Sequence, residues 1–287
     1  MTAMRYRMLC IDLDGTLTGS PGQVSRTNRA AIVRAQEAGL LVVLCTGRTW
    51  QESRAILEQL PPLELGVFAT GAMVNRTDSG QMLDIAMMHP DVAHRTVELM
   101  ADLPQAVLVL RNMHVVGHEY LVTGSGEIGE HLRWWFEHAG CPFHIQPNVQ
   151  REDLTHTLRV SVMTSADLAT SAEDRLRRAL GDQVLIEQIQ AAANPLGDSQ
   201  LLSVYAAGVD KWRGLSWVAR QRGIFPEQIA VIGDEVNDVS MLASAGCGIA
   251  MANAIDSVKA VADHVTLRND EDGVAHAIDR LLTGEWV

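Results

Sequence analysis

Short apolar runs alternate with longer helical patterns at both ends of the chain. Apolar runs cover residues 7–13, 40–45 and 65–70, and helical patterns follow the first two, ending at Gly39 and before Pro61. Glycine and proline are typical helix ends, because glycine adopts the left-handed conformation and proline lacks an N–H group. Strands that alternate with helices indicate a parallel sheet with crossover helices, so the first third of the chain is predicted to be α/β.

The same alternation returns after about residue 206 and predicts further strands of the same sheet. The predicted elements there are a helix at 211–222, a strand at 228–233, a helix at 236–244, a strand at 247–251 and a helix at 271–283. Between the two ends, after a hairpin at 73–84, apolar stretches at 106–110, 114–122, 157–163 and 183–190 are separated by helical patterns near 127–139 and 166–180. We therefore predict an α/β domain formed by residues 1–82 and 206–287, with an inserted α+β module at 83–205.

Composition argues against several classes of function. The formal charge of −12 is unsuited to a surface that neutralises a phosphate backbone, so nucleic acid is not expected as a partner. No apolar run is long enough to span a membrane, and Asp12 interrupts the first apolar run too early for an export signal. The cysteines show no CxxC spacing, which predicts reduced thiols and a cytoplasmic location; they are Cys10, Cys45, Cys141 and Cys247.

Two aspartates follow the first predicted strand, in the segment DLDGT. Residues i and i+2 of a strand face the same side, so Asp12 and Asp14 are expected to converge. Two carboxylates this close repel each other unless a cation lies near them, and Mg²⁺ prefers such oxygen ligands. A calcium loop is excluded, because it requires glycine sixth and glutamate twelfth, whereas Gly15 stands fourth and Gln23 twelfth. The alternative that Asp14 and Gly15 only form a strand-to-helix turn, capped by Thr16 or Thr18, is not excluded at this point.

Other polar residues also follow predicted strands. Thr46 and Gly47 come after the second strand, in CTGR, and could bind a phosphate; alternatively, Thr46 or Thr49 could cap the helix that follows. Lys211 begins the helix after the insertion, and taken alone it is more commonly a solvated surface lysine than a site residue. Asp234 and Asp238 follow the next strand, in GDEVND, one helical turn apart. Open α/β sheets bind ligands at the carboxyl ends of their strands, so we expect these residues to form one site.

These motifs, in this order, resemble those of the haloacid dehalogenase superfamily, and in particular its Cof-type phosphatases. The resemblance is carried by DLDGT at 12–16, TGR at 46–48, GVDK at 208–211 and GDEVND at 233–238. It extends over about residues 8–76 and 201–280 and is weak between them. It implies a Rossmann-like, doubly wound parallel sheet as the catalytic core at 1–82 and 206–287, with residues 83–205 as an α+β cap domain that governs specificity.

The resemblance further implies an Mg²⁺-dependent phosphatase that acts on a small soluble phosphate ester, such as a sugar phosphate or a cofactor phosphate. Asp12 would attack phosphorus to form an aspartyl-phosphate, and Asp14 would protonate the leaving oxygen and later activate water. Mg²⁺ would be bound by Asp12, by the backbone carbonyl of Asp14 and by Asp234. The implied phosphate-binding residues are Thr46, Gly47 and Lys211, and the implied supporting residues are Arg48, Asn237 and Asp238.

Some positions depart from the family pattern or fall outside it. The family commonly has Asn-Gly-Ala after the third strand, where this chain has Thr70-Gly71-Ala72, and often a small residue after the lysine, where this chain has Trp212. Candidates for substrate contacts in the cap, for which surface or core roles are commoner, are Arg111, His114, His118, Trp134 and Trp135. Zinc is not predicted, because neither His114 with His118 nor His131, His138 and Cys141 completes a set of four ligands.

Two other functions use the same residues. A phosphomutase would return the phosphoryl group to another hydroxyl of the substrate. A regulator that binds a phosphometabolite without turnover would usually have lost an acid of the first motif, and both Asp12 and Asp14 are present. The phosphatase is therefore the preferred hypothesis.

Overall fold

The computed structural model describes residues 5–19, 22–124, 126, 128–129, 132–133, 135–136, 140–190 and 199–286. Its contacts divide the chain into two compact units. Unit 1 comprises Met1–Ile85 and Asp210–Val287, and unit 2 comprises Ala86–Val209. The predicted boundaries at 82/83 and 205/206 fall a few residues before these division points.

Unit 1 is built on one eight-stranded sheet. In chain order its strands are β1 Met8–Ile11, β2 Leu41–Cys45, β3 Leu65–Phe68, β4 Met73–Arg76, β5 Met82–Ile85, β12 Ile229–Gly233, β13 Cys247–Ala250 and β14 His264–Val265. In space the order is β14-β13-β12-β1-β2-β3-β4-β5, so β1 lies between one strand from each end of the chain. Neighbours from β14 to β3 are parallel, whereas β3, β4 and β5 form an antiparallel meander.

Helices pack against the parallel strands of unit 1, and all but the C-terminal one precede a parallel strand in the chain. They are α1 Arg26–Glu37, α2 Trp50–Leu57, α6 Lys211–Gln221, α7 Val239–Ser244, α8 Asp256–Lys259 and α9 Gly273–Thr283, with 3-10 turns at Ala69–Gly71, Pro226–Gln228, Val236–Asp238 and Asn269–Glu271. The side chains of Ser25, Thr49 and Asp210 accept N–H groups in the first turns of α1, α2 and α6, which otherwise lack partners. All four residues of β1 are buried, as is typical of a parallel strand covered on both faces.

Unit 2 has a six-stranded sheet of its own, in the order β10-β11-β9-β6-β7-β8. Its strands are β6 Val107–Arg111, β7 Tyr120–Thr123, β8 Phe143–Ile145, β9 Thr157–Ser165, β10 Val184–Gln190 and β11 Ser199–Ala206. Its helices are α3 Pro90–Met100, α4 Met113–Val116 and α5 Ala166–Leu180, with 3-10 turns at Arg151–Leu154 and Gly181–Gln183. Pairing is antiparallel except between β7 and β8. Apolar residues of α3, α5 and the sheet form a separate core.

The predicted fold class, a doubly wound α/β sheet with an α+β insertion, is confirmed, but several elements of the insertion differ from the prediction. Helix α3 is missing from the prediction, although Pro90 occupies a first-turn position that favours proline. The apolar stretch at 114–122 divides between α4 and β7, and neither β8 nor β11 was predicted. The helix predicted near 127–139 lies largely outside the described residues.

Two expectations from composition can be compared with the structure. Within the described ranges, no helix combines the length and the apolar character needed to cross a membrane. All four cysteines lie in described ranges and are buried.

Candidate active site

The carboxyl ends of β12, β1 and β2 lie side by side, and predicted site residues follow each of them. Asp12 extends β1 by one residue, because its N–H donates to the carbonyl of Ile232 at 3.0 Å. The chain then turns through Gly15, whose φ of +78° lies in the left-handed region. A Cβ at this position would overlap the carboxylate of Asp234. Both the conformation and this close approach therefore require glycine.

Lys211, the first residue of α6, forms two buried ion pairs in this site. Its Nζ lies 2.7 Å from Asp12 Oδ1 and 2.5 Å from Asp238 Oδ1. Burial by itself lowers the pKa of Lys211, but the carboxylates of Asp12 and Asp238 outweigh it and hold the pKa well above its ordinary value. Lys211 is therefore a fixed buried cation, and the alternative of a solvated surface lysine is wrong.

Asp238 organises the loop that contains GDEVND. Its Oδ2 accepts hydrogen bonds from the N–H groups of Asp234 at 3.0 Å and Glu235 at 3.1 Å, while its Oδ1 accepts from Lys211. Gly233, at the end of β12, has no room for a Cβ beside the Asp238 carboxylate. Asp238 thus fixes the direction in which the chain leaves β12, and with it the position of Asp234.

Two of the aspartates have raised pKa values. Burial raises the pKa of Asp234 to about 7; a hydrogen bond from the Thr16 hydroxyl to Asp234 Oδ1, 2.6 Å long, opposes this rise, and the charge of Asp238 adds to it. Burial also raises the pKa of Asp12 well above its ordinary value, opposed by Lys211 and reinforced by Asp238 and Asp234. The site therefore holds more negative charge than its own cations neutralise.

Asp12, Asp234 and Asp238 form a group that could hold a metal ion, since one carboxylate oxygen from each lies within 4.8 Å of the others. Lys211 pairs with two of these three carboxylates, those of Asp12 and Asp238, and oxygen ligands of this kind suit Mg²⁺. Within the described part of the chain, no other group of three or more histidine, cysteine or acidic side chains is arranged in this way. The sequence prediction combined Asp12 and Asp234 with the backbone of Asp14 rather than with Asp238.

The Asp14 side chain is held by Arg48. Arg48 Nε donates to Asp14 Oδ2 at 2.7 Å, and Nη2 donates to Oδ1 at 2.5 Å, which is a bidentate pair with both side chains 38% exposed. The Arg48 backbone is also fixed, because its N–H donates to Thr46 Oγ1 at 3.1 Å and its carbonyl accepts from Ala69 N–H at 2.8 Å. Arg48 was predicted only as a supporting residue, and the sequence did not indicate this partner.

Thr46 and Gly47 follow β2 at the same edge of the sheet. Thr46 does not cap a helix, because Thr49 forms the capping box of α2. A Cβ placed on Gly47 would lie 3.5 Å from Thr70 Oγ1 and 3.6 Å from Asn237 Nδ2, so polar groups of two other loops border Gly47. Asn237 Oδ1 is buried and has no hydrogen-bond partner in the described ranges. Thr70, at the position where the family commonly has asparagine, thus lies next to the predicted phosphate loop.

The other residues singled out in the sequence belong to unit 2 or have packing contacts of their own. Trp212 is partly buried and packs against the core of unit 1. In unit 2, Arg111 is buried, and its Nη1 lies 3.3 Å from His118 Nε2 while Nη2 donates to a backbone carbonyl. His114 is exposed, and the ring of Trp135 packs edge-on against a buried tyrosine. Outside the described residues are His131, Trp134 and His138.

Asn253, which follows β13, is absent from the sequence prediction. Its Nδ2 donates to the carbonyl of Gly15 at 2.8 Å and lies 3.5 Å from Asp234 Oδ2. Because β13 pairs in parallel with β12, Asn253 leaves the sheet at the same edge as Asp234. The rule that polar residues after parallel strands mark the site therefore applies to Asn253 as well and could have identified it.

Known proteins resemble this chain over nearly its whole length. The model of a family described as haloacid dehalogenase-like hydrolase matches residues 9–278. The Bacillus subtilis protein named 5-amino-6-(5-phospho-D-ribitylamino)uracil phosphatase YwtE is 29% identical over 299 residues, which cover 98% of this chain and 99% of that protein. Phosphatase YwpJ of the same organism is 29% identical over 298 residues, with 96% and 100% covered. The solved structure of a haloacid dehalogenase-like hydrolase from B. subtilis matches with a TM-score of 0.78 at 25% identity, covering 96% of this chain and 99% of that chain.

Proposed function

This chain belongs to the haloacid dehalogenase-like hydrolases, and we propose that it is an Mg²⁺-dependent phosphatase that forms an aspartyl-phosphate on Asp12. Its class, a phosphoric monoester hydrolase, follows from the family and from the phosphatases named among its relatives. The metal, the intermediate, the ester and the roles of individual residues are what we propose.

The proposal depends mainly on two buried hydrogen bonds, which Lys211 Nζ donates to Asp12 and Asp238. A carboxylate nucleophile must be ionised, and an ammonium 2.7 Å away favours the ionised form of Asp12 against the effect of burial. An ammonium has three protons, so Lys211 keeps one donor for a phosphoryl oxygen. Phosphoryl transfer depends mainly on positioning and on positive charge around the phosphoryl oxygens, and Lys211 contributes to both.

The residues present fit a hard divalent cation, because three carboxylates have oxygens within 4.8 Å of one another and the one ammonium beside them pairs with only two, Asp12 and Asp238. Both oxygens of Asp238 already accept hydrogen bonds, from Lys211 and from two N–H groups. We therefore expect Asp12, Asp234 and the Asp14 carbonyl to hold Mg²⁺, with Asp238 as a support. When bound, the ion would neutralise charge on the phosphoryl oxygens.

In the first step, an oxygen of the Asp12 carboxylate attacks phosphorus and the bond from phosphorus to the ester oxygen breaks. The protonated Asp14 carboxyl gives its proton to the departing oxygen, which leaves as an alcohol. Lys211 and the loop of Thr46 and Gly47 hold the phosphoryl oxygens, so that the Asp12 oxygen and the leaving oxygen stay in line.

In the second step, water attacks the phosphorus of the aspartyl-phosphate while the Asp14 carboxylate takes up a proton. The bond from phosphorus to the Asp12 oxygen breaks, which releases inorganic phosphate and restores the Asp12 carboxylate and the Asp14 acid. When Asp14 carries the proton it must give up one of its two hydrogen bonds from Arg48, because both Asp14 oxygens accept from Arg48 in the structure, and the other bond can keep Asp14 oriented. The partial exposure of the pair leaves room for that exchange.

We propose a small soluble ester as the substrate and the cytoplasm as the location, which the buried cysteine thiols support. The name of the relative YwtE points to a phosphorylated polyol chain attached to a heterocycle. That compound class belongs within the sugar phosphates and cofactor phosphates expected from the sequence, and it is the first class to test.

The test is a panel of phosphate esters, assayed for released phosphate with Mg²⁺, with a chelator, and in protein carrying Asp12→Asn. The matched control is Asp78→Asn, which changes an exposed carboxylate in a hairpin turn that accepts hydrogen bonds from Arg76 and from the Ser79 hydroxyl. We expect release of phosphate to require Mg²⁺ and Asp12 and to be unchanged in the control. Undiminished activity of Asp12→Asn would remove Asp12 as the nucleophile, and an isomerised product without free phosphate would indicate a phosphomutase.

A further inference from the structure

The amide of Asn253 links two loops of the site. Its Nδ2 lies 2.8 Å from the carbonyl oxygen of Gly15 and 3.5 Å from Asp234 Oδ2, so one NH₂ group faces both acceptors. Gly15 belongs to the loop that carries Asp12, and Asp234 belongs to the loop after β12. Asn253 therefore ties the two segments that supply the proposed ligands of the metal.

The orientation of this amide is fixed by its other end. Asn253 Oδ1 accepts from the backbone N–H of Asn269 at 2.9 Å. A backbone N–H can only donate and the Gly15 carbonyl can only accept, so the amide nitrogen must face Gly15 and Asp234. Asn269 is itself held, because its Nδ2 donates to the carbonyl of Thr18 at 3.0 Å.

The Asp234 carboxylate is consequently held from both sides. The hydroxyl of Thr16 donates to Oδ1 at 2.6 Å, and the amide of Asn253 faces Oδ2. Gly15 approaches the same carboxylate so closely that a Cβ would overlap it. With these three neighbours, rotation of the carboxylate breaks at least one contact, so its oxygens keep one orientation before any cation arrives.

We propose that Asn253 is a positioning residue that presets the Asp234 carboxylate and the Gly15 loop for a divalent cation. The inference rests on the proposed function in one respect, namely that Asp234 binds Mg²⁺. Groups that orient metal ligands from outside typically contribute about 10–100-fold to metal affinity, because without them the ligand must be ordered when the ion binds. We expect an effect of that size on Mg²⁺ affinity and a much smaller effect on folding.

The test measures Mg²⁺ binding directly, by isothermal titration calorimetry of chelator-treated protein without substrate. The variant is Asn253→Ala, and the matched control is Asn269→Ala, which loses only the hydrogen bond to Thr18 because the Asn269 backbone N–H still donates to Asn253. We expect Asn253→Ala to bind Mg²⁺ about 10–100-fold more weakly than the unmodified protein, and Asn269→Ala to stay close to the unmodified protein.

Urea unfolding of the metal-free variants separates positioning from a structural role, since a purely structural asparagine would lower stability and leave the Mg²⁺ affinity of the folded protein unchanged. That outcome, or equal affinities for Asn253→Ala and Asn269→Ala, would overturn the inference. If Asn253→Ala does not fold, Asn253→Ser takes its place, because serine is too short to reach Asp234 from the same backbone. Failure of the unmodified protein to bind Mg²⁺ would instead refute the metal of the proposed function, so the two failures are distinguishable.

Discussion

Replacing Lys211 by methionine tests the charge arrangement of the site without opening a large cavity. Methionine is close to lysine in size and carries no charge, so the change removes the ammonium that lies between Asp12 and Asp238. The two buried carboxylates then remain next to each other and to Asp234 without a cation. We expect Lys211→Met to fold but to have a much lower free energy of unfolding than the unmodified protein.

The magnitude follows from the burial of the three groups. The Lys211 side chain is 1% exposed, and those of Asp12 and Asp238 are 6% and 0% exposed, so solvent does not screen the remaining charges. Removing one partner of a buried ion pair costs about 3–5 kcal/mol. Lys211 serves two carboxylates, but uptake of a proton by Asp12 limits the loss, and we expect about 3–5 kcal/mol in total.

Urea unfolding measured by tryptophan fluorescence provides the assay. The signal comes mainly from unit 1, which contains Trp50, Trp212, Trp217 and Trp286. The control is Arg34→Met, which breaks an ion pair with Asp279 that is 2.6 Å long but 44% and 56% exposed. Exposed pairs contribute about 0–1 kcal/mol, so the control should unfold almost where the unmodified protein does.

The loss should also depend on pH. Burial raises the pKa of Asp12 in the folded protein, and removal of Lys211 raises it further. A carboxyl whose pKa is higher in the folded than in the unfolded state stabilises the protein at low pH, and this contribution is lost as pH rises through the folded-state pKa. Lys211→Met should therefore be destabilised more at pH 8 than at pH 5. If Lys211→Met has the same free energy of unfolding as Arg34→Met at both pH values, Lys211 does not stabilise the buried carboxylates.

Three further substitutions test other parts of the site. Asp14→Asn should slow hydrolysis of an alkyl phosphate by roughly 10²–10⁴-fold and that of p-nitrophenyl phosphate far less, because nitrophenolate leaves without a proton. Equal losses in kcat for the two esters would contradict the role of Asp14 as the acid. Arg48→Met, which frees the Asp14 carboxylate, should shift the same ratio of kcat values in the same direction by a smaller factor, and an unchanged ratio would show that Arg48 does not orient Asp14. Gly15→Ala should lower the free energy of unfolding by about 1–3 kcal/mol, because alanine is strained at the positive φ of this position, and should weaken Mg²⁺ binding, because its Cβ displaces the Asp234 carboxylate. Unchanged stability and Mg²⁺ affinity would contradict the close approach of Gly15 to Asp234.

The proximity of Asp12, Lys211 and Asp234 could be expected from the sequence, although 199 residues separate Asp12 from Lys211. Asp12 and Asp234 each follow a strand, and Lys211 begins the helix that precedes the next parallel strand. All three positions therefore lie at the carboxyl edge of the sheet, which is the same edge for all parallel strands. This expectation requires only that the strands are parallel. The same argument reaches Asn253, which follows β13.

Side-chain partners could not be predicted in the same way. The sequence does not show that Arg48 pairs with Asp14. Nor does it show that one oxygen of Asp238 accepts two backbone N–H groups while the other accepts from Lys211. These contacts depend on side-chain rotamers and on the paths of the loops. In unit 2, strand β8 has three exposed residues and so no apolar signal. Helix α3 was predictable in principle, since Pro90 and the buried residues of its inner face are ordinary helix signals.

Transfer of the phosphoryl group to Asp12 is the step on which the proposed chemistry depends, and chemical trapping can observe it. Borohydride reduces an acyl phosphate to an alcohol, so protein quenched during turnover, reduced and digested should show a changed mass in the peptide that contains Asp12. We predict this change at Asp12 when both substrate and Mg²⁺ are present, and its absence when either is omitted. Reduction at a different carboxyl group, or an unmodified Asp12 in Asp14→Asn protein saturated with p-nitrophenyl phosphate and Mg²⁺, would contradict the proposal, because that variant lacks the base for the second step.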